Sequence, residues 1–323
     1  MTRFGAAALI ALIPSLAFAQ TSGPSSAART QPQDAHDGLA TPAAHEVNVS
    51  VGYYKYAEPG SLAISIHGPK IGGEYTGTFS LGARRSWFAK ANARATFGST
   101  QYDGWCMPWL IVPFSGSPNG YALDLGDASP CSEEGEKDWY TEARGLVGKD
   151  IIGRTVAWSP EGGLGFRHLS NGLSGVPRFR TDDYLYVLAG ITARMAMGAH
   201  QPLSFNVEYD HLLHGWQTTR QAALGGGDIP ATPTAPAFTL VGLTDLSFDQ
   251  HDGWALRASV KFQLSRAWSI EPAYVRWQVG DSALGSTTAT FTVNGVTAQE
   301  ELGAVEPFNV TNEFVVKVGF RWR

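Results

Sequence analysis

Ten stretches of this 323-residue chain alternate apolar and polar residues with a period of two, and the connectors between them alternate long and short. Period-two alternation gives a strand one dry face and one wet face. A sheet that closes on itself in a lipid bilayer requires that alternation all the way round, and it places its large loops on one rim only. The fold expected is therefore all-β: one antiparallel transmembrane barrel of about ten strands, with long extracellular loops and short periplasmic turns.

The expected strands are 47–56, 71–81, 86–99, 138–148, 156–169, 184–197, 203–213, 254–264, 268–279 and 313–322. The 254–264 stretch is the clearest, with Trp254, Leu256, Ala258, Val260, Phe262 and Leu264 against Arg257, Ser259, Lys261 and Gln263. The 156–169 stretch is rich in glycine and weaker, and Pro272 marks a bulge or a weakened pairing in 268–279. Segments 82–85, 150–154, 198–202 and 265–267 read as short turns; 57–70, 100–137, 170–183, 214–253 and 280–312 read as long loops. Tyr53, Tyr54, Trp87, Trp139, Trp254, Trp268 and Trp322 fall near strand ends, where an aromatic girdle meets the headgroups.

At about eight strands side chains fill a barrel, and open pores appear at about 16 to 18, so ten strands leave little lumen. The inward set Lys90, Arg94, Glu142, Arg144, Arg167, Glu208, Asp210, Arg257, Lys261, Glu271, Lys317 and Arg321 carries both signs, which predicts a salt-bridged plug.

Arg3, the apolar run from Phe4 to Ala17, and Ala17-Phe18-Ala19 fit a secretory signal peptide over 1–19. Residues 20–46 are rich in Ser, Ala, Pro, Thr, Gln and Gly and read as a flexible lead, with the barrel spanning 47–323. An exported chain with two cysteines predicts a Cys106–Cys131 disulfide. A net charge of −5 argues against nucleic acid as a partner. No cofactor is expected, because Gly225–Gly227 lacks the strand-turn-helix context of a phosphate loop. No metal is expected either, because Asp245, Asp249, His251 and Asp252 lack calcium-loop spacing.

Two family resemblances follow. Phe320-Arg321-Trp322-Arg323 resembles the terminal strand by which outer-membrane barrels are recognised, which implies the barrel-assembly machinery and outer-membrane lipid or lipopolysaccharide as partners and the bacterial outer membrane as location. Size, strand count and loop layout resemble the omptins, whose proteolytic members set an Asp pair against an Asp-His pair above the membrane. The nearest matches are Asp210 and His214, which with Glu208 share inward parity at the top of 203–213, and Asp103 in the 100–137 connector. The omptin Asp-x-His spacing is absent, since His211 follows Asp210 directly, so the resemblance carries the architecture and not the protease.

His168-Leu169-Ser170-Asn171 is similar to the His-x-Ser-Asn of outer-membrane lipid A deacylases, which implies a His168, Ser170 and acid constellation with Asp182 or Asp183 as the acid. His168 and Ser170 share a strand face about 7 Å apart, so a bend must bring them together. The chain thus reads as a structural or surface-interaction barrel, with an outer-membrane esterase, a protease or a narrow channel as the alternatives.

Overall fold

A computed structural model describes residues 39–323 apart from 61–62, 82–85, 107–108, 126–128, 174–177, 198–201, 221–225, 234 and 323. The expected signal peptide and most of the lead lie outside the described residues.

In chain order the strands are β1 (Ala44–Glu58), β2 (Ile64–Leu81), β3 (Trp87–Cys106), β4 (Trp109–Pro113), β5 (Tyr121–Leu125), β6 (Ser129–Lys149), β7 (Ile151–Ile152), β8 (Val156–Leu173) and β9 (Arg178–Ala196). They continue with β10 (Pro202–Thr219), β11 (Gly227–Ile229), β12 (Phe238–Leu243), β13 (Leu246–Gln250), β14 (Gly253–Gln263), β15 (Trp268–Val279), β16 (Gly285–Val293), β17 (Val296–Ala304) and β18 (Asn309–Trp322). Ten of them, β1, β2, β3, β6, β8, β9, β10, β14, β15 and β18, form one closed antiparallel barrel. Closure is made by the last strand on the first, with Val47 opposite Phe320 and Val51 opposite Val316, while β8 and β10 flank β9.

The alternation works as expected. Val49, Ile71, Phe97, Leu164, Val207 and Phe314 present apolar side chains outward, with no second protein layer over them among the described residues. Such a continuous dry exterior is stable only against hydrocarbon. Residues of the opposite parity, such as Asn48, Ser50, Arg94, Asp138, Glu142 and Glu208, are buried inside. At the short-turn end Trp268 meets Phe320 edge to face, and Phe320, Trp322 and His45 stack in turn, with His45 Nδ1 2.7 Å from the Tyr75 hydroxyl.

The long connectors differ from the sequence reading. The 57–70 loop shrinks to residues 59–63, because β1 and β2 run on past the apolar band, and 170–183 likewise becomes extensions of β8 and β9. Polar alternation above the membrane is still strand when both neighbours are strands, since the ladder satisfies backbone groups whatever the side chains. The lead also ends sooner: β1 starts at Ala44, the Thr41 amide donates to Asp150 at 2.7 Å, and Arg194 donates to the Leu39 carbonyl at 3.2 Å, pinning residues 39–43 at the short-turn mouth.

The other long connectors carry their own sheet. β11, β12, β16 and β17 pair in that order, and β4 and β5 form a hairpin. Ile111, Leu123, Phe238, Leu240, Ala289, Phe291 and Val293 make a separate buried core between them. The β16–β17 hairpin closes through Asn294 and Gly295, both at positive φ (49° and 81°), the backbone a two-residue hairpin turn demands. Gly285 lets β16 approach β13: a Cβ there would lie 2.6 Å from the Ser247 carbonyl and 2.8 Å from the Phe248 ring.

Candidate functional site

Inside the barrel, the expected ion pairs are present. Arg257 donates to Asp210 (Nε, 2.7 Å) and to both oxygens of Glu142 (2.5 and 3.0 Å), while Arg94 donates to Glu313 at 2.7 Å. Arg144 meets Glu208 at 2.6 Å, Lys317 meets Glu74 at 2.9 Å and Glu271 at 3.4 Å, and Lys90 meets Glu161 at 2.5 Å. Lys261 and Arg321 share Glu46. A buried charge without a partner costs several kcal/mol, so the barrel interior is stable only because these signs are matched across it.

Arg167 is held differently. It is 3% exposed, and its guanidinium stacks 4.4 Å from the Tyr140 ring and 5.7 Å from Trp277, with no ion pair among the described residues. Toward the long-loop end, Tyr54, Tyr140, Tyr186 and Trp277 are fully buried inside the barrel. Below them lies a cavity of about 60 Å³ lined by Glu74, Arg94, Arg144, Arg257, Glu271 and Lys317 among others. The Lys70–Asp138 pair escaped the sequence reading because both residues sit at or beyond expected strand limits, although they share the inward parity of their strands.

The omptin-like matches do not converge. Asp210 is fully buried on the inner wall beneath Arg257. Asp103 lies on the outer wall, where it accepts from Gln101 (2.9 Å) and Ser132 (2.7 Å) and contacts His67 Nε2 at 2.9 Å. Those bonds, Ser132's and Gln101's foremost, hold the Asp103 carboxyl below the usual range. His214 is outside too, against the inward parity expected of it. The reason is a β-bulge between Leu212 and His214, which leaves Leu213 unpaired and reverses the phase of every later residue in β10.

The lipid A deacylase-like residues fall on the outer wall. His168 Nδ1 lies 2.6 Å from Asp183 Oδ1, with the Trp139 ring 5.1 Å from the imidazole. The acid that reaches His168 is therefore Asp183. Asp182 points inward, where it lies 3.4 Å from Arg180 Nε, because adjacent strand residues face opposite sides. Ser170 shares the face of His168 one row further out.

Strand register aligns these groups. Thr141, His168, Asp183, Trp216 and Asp249 stand side by side across β6, β8, β9, β10 and β13. The row beneath holds Ala143, Phe166, Leu185 and His214; the row above holds Trp139, Ser170, Thr181, Thr218 and Ser247. Across these rows the outward side chains of these five strands change from mainly apolar to polar.

The closed ten-strand fold and its apolar exterior define the protein as a bacterial outer-membrane β-barrel. Among solved structures, the chain is similar to the outer membrane protease OmpT from Escherichia coli, at 9% identity and a TM-score of 0.50 over 87% of this chain and 98% of that one. A COG4313 outer membrane channel from Pseudomonas putida F1 (10% identity, TM-score 0.37, 90% and 99% covered) also aligns with it. So does the translocator domain of the autotransporter NalP from Neisseria meningitidis (10%, 0.33, 88% and 91%). No family model matches the sequence, and no curated protein does. At such identity the likeness to OmpT is one of fold.

Proposed function

We propose that the chain is a plugged membrane anchor that displays a rigid β-structured head at the cell surface, in a structural or surface-interaction role. The observation that carries this reading is the head's own buried core, built by connectors that would otherwise stay solvated loops. Ion pairs and the aromatic layer that fill the lumen beneath it argue against a channel. Planar-bilayer recording tests the plug: the reading expects no conductance steps, and discrete openings would overturn it. Display is tested by Asn294→Cys on intact cells, which a membrane-impermeant maleimide should label.

One observation favours a second reading, an acyl-ester hydrolase at the outer-leaflet boundary. Asp183 binds His168 through Nδ1, the arrangement that leaves Nε2 to take a proton from a nucleophile, and Ser170 stands on the same face. Mass spectrometry of lipid A from cells carrying the chain or Ser170→Ala decides it; identical profiles with and without the chain rule it out.

A further inference from the structure

We propose that His214 and His251 form an open two-imidazole site for a divalent transition-metal ion of the Zn²⁺ or Cu²⁺ type on the outer wall. Their Nδ1 atoms face one another at 3.1 Å, with ring centroids 4.7 Å apart and planes inclined by 55°. A metal about 2.0–2.1 Å from each nitrogen sets two donors roughly 2.9 Å apart at a right angle and about 3.4 Å at a tetrahedral one. The observed separation falls between those limits.

The backbone is irregular where this pair forms. β10 pairs β14 as far as His211 opposite Trp254 and resumes with β13 at Gly215 opposite Gln250, while on its other side the bulge skips Leu213. Bulges re-aim side chains next to sites. Here the bulge brings His214 to the outer face beside His251 instead of into the lumen.

Asp249 Oδ1 lies 3.4 Å from His214 Nε2. A carboxylate there keeps the proton on Nε2 and the lone pair on Nδ1, which is how carboxylates orient imidazole ligands from outside the coordination shell. The Trp216 ring, 4.2 Å from that of His214, limits its rotation. No cluster of three or more His, Cys, Asp or Glu converges among the described residues, so the remaining coordination positions fall to water. Imidazole donors select zinc and copper over magnesium or calcium.

The test uses the tag-free full chain in detergent micelles, stripped with chelator. Calorimetric titration with ZnCl₂ should show one saturable equivalent, and Cu²⁺ electron paramagnetic resonance should show coupling to two nitrogens. His214→Ala and His251→Ala should each weaken binding at least 10-fold, and Asp249→Asn by a smaller factor. His251→Gln, which keeps a polar side chain at the bulge, and heat-modified electrophoretic mobility control for folding. Absence of saturable binding, or binding unchanged in both His variants, overturns the proposal and leaves only a hydrogen-bonded pair of imidazoles.

Discussion

The Lys70 ammonium lies 2.5 Å from the Asp138 carboxylate, with the two side chains only 2% and 1% exposed. The pair joins β2 to β6 across the intervening β3, and Asn171 donates a further 2.6 Å bond to the same carboxylate. The Tyr54 ring lies 3.5 Å from the Lys70 ammonium. Asp138→Ala should cost about 3–5 kcal/mol by stranding the cation, whereas Lys70→Met with Asp138→Leu should cost far less. Urea unfolding of the refolded barrel in lipid measures both.

Glu306, in the connector before β18, ties the head to the barrel wall through Arg180, which also bonds Glu58 at 3.1 Å. Burial pushes its pKa up to about 7, with Arg180 opposing and Glu58 and Asp182 reinforcing the shift. A raised carboxyl is protonated in the folded state over a range in which the unfolded chain is ionised. Its contribution is therefore full below the unfolded value of 4.5 and is lost as pH rises through about 7. Hydrogen exchange of the connector should show Glu306→Gln matching the parent at pH 4 and exceeding it at pH 8. The gap should be a few kcal/mol at most, at roughly 1.4 kcal/mol per unit.

Gly165 faces the Tyr186 ring so closely that a Cβ would lie 2.2 Å from it. Tyr186 in turn donates to Glu142 at 2.8 Å. Gly165→Val should displace the ring and cost more than about 3 kcal/mol, combining overpacking with a broken buried polar contact. Loss of folded barrel in heat-modified electrophoresis checks it.

The disulfide expected from sequence, Cys106–Cys131, would join residues that register brings close. Gly104 faces Cys131 and Cys106 faces Ser129 on the β3–β6 ladder. The Cys106 side chain lies outside the described ones. Alkylation without reductant should leave the chain unmodified, and reduction should release two thiols and lower head stability by roughly 3 kcal/mol. Quantitative labelling before reduction would refute the bond.

Parity alone made the barrel legible: Val47 to Tyr53 and Trp254 to Leu264 alternate so regularly that only one face can be dry, and a closed sheet is the one strand architecture with no edge left in lipid. The inward charges of β14 and β18 were readable for the same reason. Tertiary structure decided what depends on phase and on partners outside each strand. One extra residue at Leu213 turns His214 outward, a change that leaves no local trace because any residue can fill a bulge. The pairing of Lys70 with Asp138 required knowing how far each strand runs past the apolar band, where polar residues stay in the ladder only because their neighbours do. The head was hidden too: its short strands satisfy their backbones and bury Phe291 and Leu240 only against segments distant in sequence.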